Sequence, residues 1–277
     1  LDPDDYSNGA AYYYDNKMMI WASPLDFELR GSHRWLQNVI THEFAHIVSL
    51  QKAMKAGTSI PGAYFQFMNY EEEKRPDVLY GYPNTLVSYP LPGTVVPPWL
   101  AEGTAQYMYD DADWDNWDSH RDMILRDRVI NDNLLSFTEM NTFGKKGIGN
   151  ESTYNSGFAL ATYIANEYGS DVLSKVMEEL SSPFQFSINK AILNVTGTSG
   201  RDIYQDFKTA IEAKYNTLVD PIRVMPVQGE KLQIEGTTNI HPKWHPNKNA
   251  YLYLSNKGND YFGQTNLYFH DLNTGED

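Results

Sequence analysis

The sequence predicts an α+β protein: a mostly helical body carrying a small N-terminal β-sheet, followed by a run of short β-strands. Three observations lead there. Apolar residues at helical spacing make residues 26–220 read as mostly helical. A β-prone stretch around Met18–Ala22 precedes them. Beyond about residue 225 the pattern changes to short alternating segments separated by Asn, Gly, Pro and Lys. With 277 residues, 41% of them hydrophobic, the chain can bury one large core and part of a second.

The first predicted helix is "GSHRWLQNVITHEFAHIVSLQKAMKAG". Ser32 is its expected N-cap, Gly57 its stop, and Trp35, Val39, Phe44, Ile47 and Leu50 its apolar face. Residues 57–96 are rich in Pro, Gly and Tyr and are expected to be irregular, with short helical pieces. A helix restarts at "VPPWLAEGTAQYMYDD", where Pro97 and Pro98 suit a first turn. Further helices are expected at "DSHRDMILRDRVI", "STYNSGFALATYIANEYG", "SDVLSKVMEEL", "PFQFSINKAILNVTG" and "SGRDIYQDFKTAIEAKYNTL". Strands are then expected at "KLQIEG", "AYLYLSN" and "TNLYFHDL". This places a domain boundary near residues 220–230, giving domains 1–225 and 226–277.

Composition excludes several classes of function. The formal net charge is −14, which repels a phosphate backbone, so no nucleic-acid partner is expected. The chain has no cysteine, which removes thiolate metal sites, disulfides and thiol catalysis. No apolar run approaches the ~20 residues of a membrane span, and the start shows no signal-peptide pattern. The polar start "LDPDDYSNGA" and the turn-like end "DLNTGED" predict a piece of a longer protein.

The chemistry is carried by "HEFAH". On a helix, His42 and His46 lie one turn apart on one face, so both imidazoles can hold one ion. Glu43 lies about 100° further round, placed to act on water without being a ligand. Zn²⁺ suits this division, with neutral nitrogens holding the ion and a free carboxylate taking a proton from activated water. A third ligand is needed. The pattern H-E-x-x-H-x-x-G-x-x-H does not supply it, because Ser49 and Lys52 stand at the required Gly and His. A glutamate from a downstream helix is the alternative, and Glu102 in "PPWLAEGTAQY" is the candidate.

These residues resemble a known family. Aminopeptidase N-type gluzincins carry W-L-x-E-G-x-x-x-Y after their H-E-x-x-H helix, and Trp99, Leu100, Glu102, Gly103 and Tyr107 match it in register. The resemblance implies a thermolysin-like catalytic domain with zinc held by His42, His46 and Glu102. Glu43 is then the general base, peptide-bond hydrolysis the activity, and a peptide or protein the substrate. In the same family a Tyr three residues before a Gly steadies the oxyanion. Tyr154, with Gly157, Phe158 and Tyr163 after it, fits that place, while His33, Tyr107 and His120 fit it less well. By the same resemblance residues 10–22 hold an edge strand that pairs with an extended substrate. The family's G-x-M-E-N segment, whose glutamate binds a free amine, has no counterpart here, so the match does not extend to aminopeptidase specificity.

Two other stretches carry expectations. "DDADWDNWDSHRD" gathers Asp111, Asp113, Asp115 and Asp118. Alternating carboxylates can bind Ca²⁺, but the Gly and final Glu of an EF-hand are missing, so a solvated loop is expected. From Ile240 onward the sequence resembles one blade of a TolB-like β-propeller, P-x-W-S-P-D-G followed by L-Y-x-x-D-L-x-T-G-E. Pro242, Trp244, Pro246, Asn247, Ser255, Leu267, Tyr268, Asp271, Thr274 and Gly275 fit it, and His245 and Lys248 depart from it. His241 and His245 are then structural, the propeller offers a surface to a protein partner, and the location implied is the bacterial periplasm or the exterior. The rival expectations are a catalytically inactive zinc-binding or scaffold protein and a zinc hydrolase acting on a non-peptide bond. Glu43 argues against an inactive site, which has no use for that carboxylate.

Overall fold

Two glycines and a set of helix caps fix where the elements meet. In the computed structural model the described residues are 8–21, 35–57, 63–70, 83–91, 93–108, 119–143, 150–259 and 264–277. Among them the chain is mixed α+β, with seven α-helices and three small sheets. It divides into two units, Leu1–Ala63 with Pro90–Pro226, and Tyr64–Tyr89 with Val227–Asp277. Among the described residues no helix is long and apolar enough to cross a membrane.

The first unit begins with the antiparallel hairpin β1 (Asn8–Tyr12) and β2 (Lys17–Trp21), in which Gly9 pairs with Ile20 and Ala11 with Met18. A 3₁₀ turn, Tyr13–Asp15, and left-handed Asn16 (φ 51°) reverse the chain. Helix α1 (Trp35–Lys52) packs beside it. The Gln51 amide donates to Tyr13 O at 2.6 Å and to Asn16 Oδ1 at 2.5 Å, and Tyr13 and Tyr14 pack on Ile47 and Met54. Hairpin and helix are thus locked at both ends of the turn.

Helix α2 (Pro98–Tyr107) starts with Pro97 extended at the N-cap and Pro98 in the first turn, where no amide hydrogen is missed. Helix α3 (Ser119–Ile130) follows. Helix α4 (Glu151–Tyr168) ends at Gly169, whose φ of 99° suits glycine. α5 (Val172–Ser181), α6 (Ile188–Thr196) and α7 (Gly200–Val224) complete the body. Ser187 and Ser199 cap α6 and α7 by accepting from the amides of Lys190 and Asp202. The core is built on Trp99, Leu100, Met140, Leu160, Ile164, Leu180, Ile192 and Phe207, drawn from α2, α4–α7 and a 3₁₀ turn, Glu139–Asn141.

In the second unit β3 (Ala63–Tyr70) and β4 (Pro83–Leu91) pair as a two-stranded sheet. β5 (Asn239–Trp244), β6 (Ala250–Ser255) and β7 (Asn266–Asp271) form an antiparallel sheet in that order. Buried Tyr251 and Tyr253 stand on one face of it, and the Asp277 carboxylate binds Lys257, His270 and Tyr253 there. His245 Nδ1 accepts from the Asn247 amide at 3.1 Å, and His241 sits at a bulge with φ 55°.

Several expectations are corrected. Residues 63–70 and 83–91 are strands rather than irregular chain with helical pieces. "KLQIEG" carries no strand, and β5 takes that place in the sheet. α6 begins at Ile188 rather than near Pro183, leaving Phe184 and Phe186 exposed. α7 runs through Pro221 to Val224. α1 ends at Lys52, short of Gly57, and Phe44 lies with Leu36, Ile40 and Val48 on its exposed side. Ser32, His33 and the acidic stretch Asp111–Asp118 lie outside the described residues.

Candidate metal centre

The site forms where α1, α2 and α4 meet under β1. α2 and α4 touch at backbone level. A Cβ on Gly103 would lie 2.4 Å from the Gly157 carbonyl oxygen, and one on Gly157 2.5 Å from that of Trp99. Real Cβ atoms do not come so close, so both positions need glycine. Glu102 is the neighbour of the first and Tyr154 lies one turn before the second, so this contact delivers both side chains to the face of α1.

The structure brings His42, His46 and Glu102 together. Glu102 Oε2 lies 2.9 Å from His42 Nε2 and 3.2 Å from His46 Nε2, and the two Nε2 atoms are 2.9 Å apart. All three residues offer ligand atoms within 4.8 Å of one another. Each Nε2 carries at most one hydrogen, directed in its ring plane, so the three contacts cannot all be ordinary hydrogen bonds together. A proton or a metal ion among these electron-pair donors would relieve their mutual repulsion. Ligands of a tetrahedral zinc at about 2.0–2.2 Å stand about 3.3–3.5 Å apart, so the triangle is close to the size that ion needs. The donor set fits zinc: two imidazoles and one carboxylate, with no thiolate. The other ring nitrogen of His46, Nδ1, is buried with no hydrogen-bond partner among the described residues, so every polar contact of that ring is on the Nε2 side.

Burial gives these charges their meaning. Glu43 and His46 are each 7% exposed and Glu102 8%. Buried unpaired ions are costly, and these groups compensate one another. Burial pushes the Glu102 carboxyl up, yet the charge of His46 and hydrogen bonds from both histidines outweigh it and hold the carboxyl below its ordinary range. Burial pushes His46 down, but Glu102 and then Glu43 reverse it, so its net shift is upward. Glu43 stands outside the triangle. Burial raises its pKa against the pull of His42 and His46, with Glu102 adding to the rise and the Ala11 amide opposing it. A buried carboxyl with a raised pKa is suited to taking and returning a proton.

β1 covers Glu43 closely. A Cβ on Gly9 would sit 2.6 Å from Glu43 Oε1 and 2.6 Å from Val39 Cγ2. On the other side the Tyr154 ring stacks on His42, with centroids 6.2 Å apart and planes 24° apart. The same ring stacks on Phe143 at 5.9 Å and 23°. Tyr107 ends α2 and packs against the main core, and His120 is the second residue of α3. Sequence reasoning passed over Gly9 and Phe143. Gly9 sits in a polar N-terminal stretch, and Phe143 is a lone aromatic between helices, so neither leaves a periodic signal.

Comparison of the chain with protein-family models, with curated proteins and with solved structures found no match. The functional reading therefore rests on the chemistry of these side chains.

Proposed function

We propose that the protein is a zinc-dependent hydrolase of peptide bonds, with a gluzincin-like catalytic domain. The observation that carries the reading is the convergence of His42, His46 and Glu102 from two helices, with the Glu43 carboxylate beside the triangle but outside it. A purely structural site has no use for that fourth group. Bound zinc would supply Lewis-acid polarisation of a carbonyl and of the attacking water.

The chain's own residues do the rest. His42, His46 and Glu102 hold the ion. Glu43 accepts a proton from the attacking water and returns it to the nitrogen that leaves, so the carboxylate ends as it began. The Tyr154 hydroxyl donates to the carbonyl oxygen as negative charge builds there. β1, lying over Glu43, is the edge along which an extended peptide would align. The β5–β6–β7 sheet supports reading the second unit as carrying part of a TolB-like propeller blade, a surface for a protein partner. Periplasmic or secreted location follows from that resemblance.

The experiment is metal content by mass spectrometry on wild type and Glu102→Ala, with peptide cleavage assayed beside Glu43→Gln. One zinc in wild type, its loss in Glu102→Ala, and zinc without cleavage in Glu43→Gln are expected. A wild type that cannot be loaded with zinc overturns the reading. Zinc bound with no cleavage of any peptide points instead to an inactive zinc-binding scaffold or to a different bond.

A further inference from the structure

Three rings lead outward from the buried triangle. His42 stacks on Tyr154 and Tyr154 on Phe143, each pair with planes within 25° of parallel. Exposure rises along the row: Glu102 and His46 are buried, the His42 side chain is 17% exposed and Phe143 44%. Phe143 thus stands at the solvent end of a path that reaches His42, while β1 closes over Glu43 on another side.

The turn just before Phe143 is tied by its own hydrogen bonds. Ser136 and Glu139 cap each other, the Ser136 amide donating to Glu139 Oε2 at 2.8 Å and the Glu139 amide to Ser136 Oγ at 3.2 Å. Fully buried Met140 anchors the turn in the core, and the Thr142 amide donates to Glu139 O at 3.3 Å. A large aromatic ring, 44% exposed and stacked on Tyr154 beside a polar centre, offers apolar surface to a ligand bound there.

We propose that Phe143 is a specificity residue of this site, and that the substrate is a peptide with a large apolar side chain next to the reacting bond. The proposal rests on the hydrolase reading for the identity of that bond. Phe143 offers apolar surface and a ring face but no charge or hydrogen-bonding group. An aromatic or branched side chain gains from it, and a small or charged one does not.

The test uses peptides that differ at one position flanking the scissile bond, Ala against Phe. Binding is measured in the Glu43→Gln protein, so that it does not depend on turnover, and cleavage in the otherwise wild-type protein. The Phe peptide is expected to bind about tenfold or more tighter than the Ala peptide. Phe143→Ala should bring that ratio to about twofold or less with the Ala peptide unchanged, and Phe143→Leu should keep most of it. The kcat/KM ratio should fall with it. An unchanged ratio overturns the proposal. So does an equal loss for both peptides, which would make Phe143 a mere prop for Tyr154. Discrimination in binding without cleavage by wild type removes the hydrolase reading and leaves Phe143 its role; absence of both binding and cleavage removes both.

Discussion

Gly103 of α2 and Gly157 of α4 meet so closely that a Cβ on the first would lie 2.4 Å from the carbonyl oxygen of the second. The obstacle is backbone, which cannot rotate away as a side chain can. Gly103→Ala should therefore force the helices apart despite alanine's better helix propensity of about 1 kcal/mol. A net loss of about 1–3 kcal/mol is expected from overpacking, seen as a lower melting temperature. Zinc retention should fall in step, because Glu102 moves with its neighbour. Gly157→Ala should do the same through the Trp99 carbonyl.

Gly9→Ala tests the roof of the site. The new methyl would meet Glu43 Oε1 and Val39 Cγ2, both at 2.6 Å. Either β1 lifts or Glu43 turns aside. A displacement near 1 Å can cost about a hundredfold in rate. Cleavage should drop by about ten- to a hundredfold while zinc content stays at the wild-type level, a pattern that separates this residue from the three ligands.

At the proposed zinc site, acid should expel the metal. His46 keeps its proton to higher pH than a free imidazole because Glu102 and Glu43 face it. Zinc must displace that proton, so its affinity should weaken from above pH 6.5 downward, by about tenfold per unit for each proton released. Competition with a chelator across pH 5.5–8 measures it. Without metal the sign reverses. A raised histidine pKa contributes stability that is complete below 6.5 and is lost as pH rises through the folded value. Metal-free protein should thus melt lower at pH 8 than at pH 6.5, and zinc should invert that order.

A change remote from the site serves as the control. The Ser199 hydroxyl accepts from the Asp202 amide at 3.3 Å at the start of α7. Ser199→Ala should cost about 1 kcal/mol, a fall of about 2–4 °C in melting temperature. Zinc content and cleavage should not change.

The helices of the first unit were legible where punctuation accompanied periodicity, as at Pro97 before α2 and Gly169 after α4, while the bounds of α1, α6 and α7 were misplaced. β3 and β4 were not legible. "AYFQFMNY" lacks clean alternation, and β4 contains Pro83 and Pro90, which usually argue against a strand. Pro221 misled in the same way, since α7 tolerates it near its end. Phe44 looked like a core residue by type, yet its angular position puts it with exposed Leu36 and Ile40. At the site, the spacing of His42 and His46 follows from helix geometry alone. The approach of Glu102 does not, because it depends on Gly103 and Gly157 meeting across two helices. Only the threading of the whole chain brings Phe143 to Tyr154.

Glu102 and His46 are 56 residues apart in the chain, and a shared ion would tie them. Such a tie acts on the unfolded polymer as well as on the fold. A permanent cross-link closing a loop of that length removes conformational freedom equivalent to about 4 kcal/mol. An ion that remained bound to both residues through a partial opening would restrict the intervening chain in the same way. The excursion between α1 and α2, which includes β3 and β4, would then be a tethered loop, and chelation would lengthen the free chain without breaking a covalent bond. Protease susceptibility between residues 57 and 96 is where that release should first register.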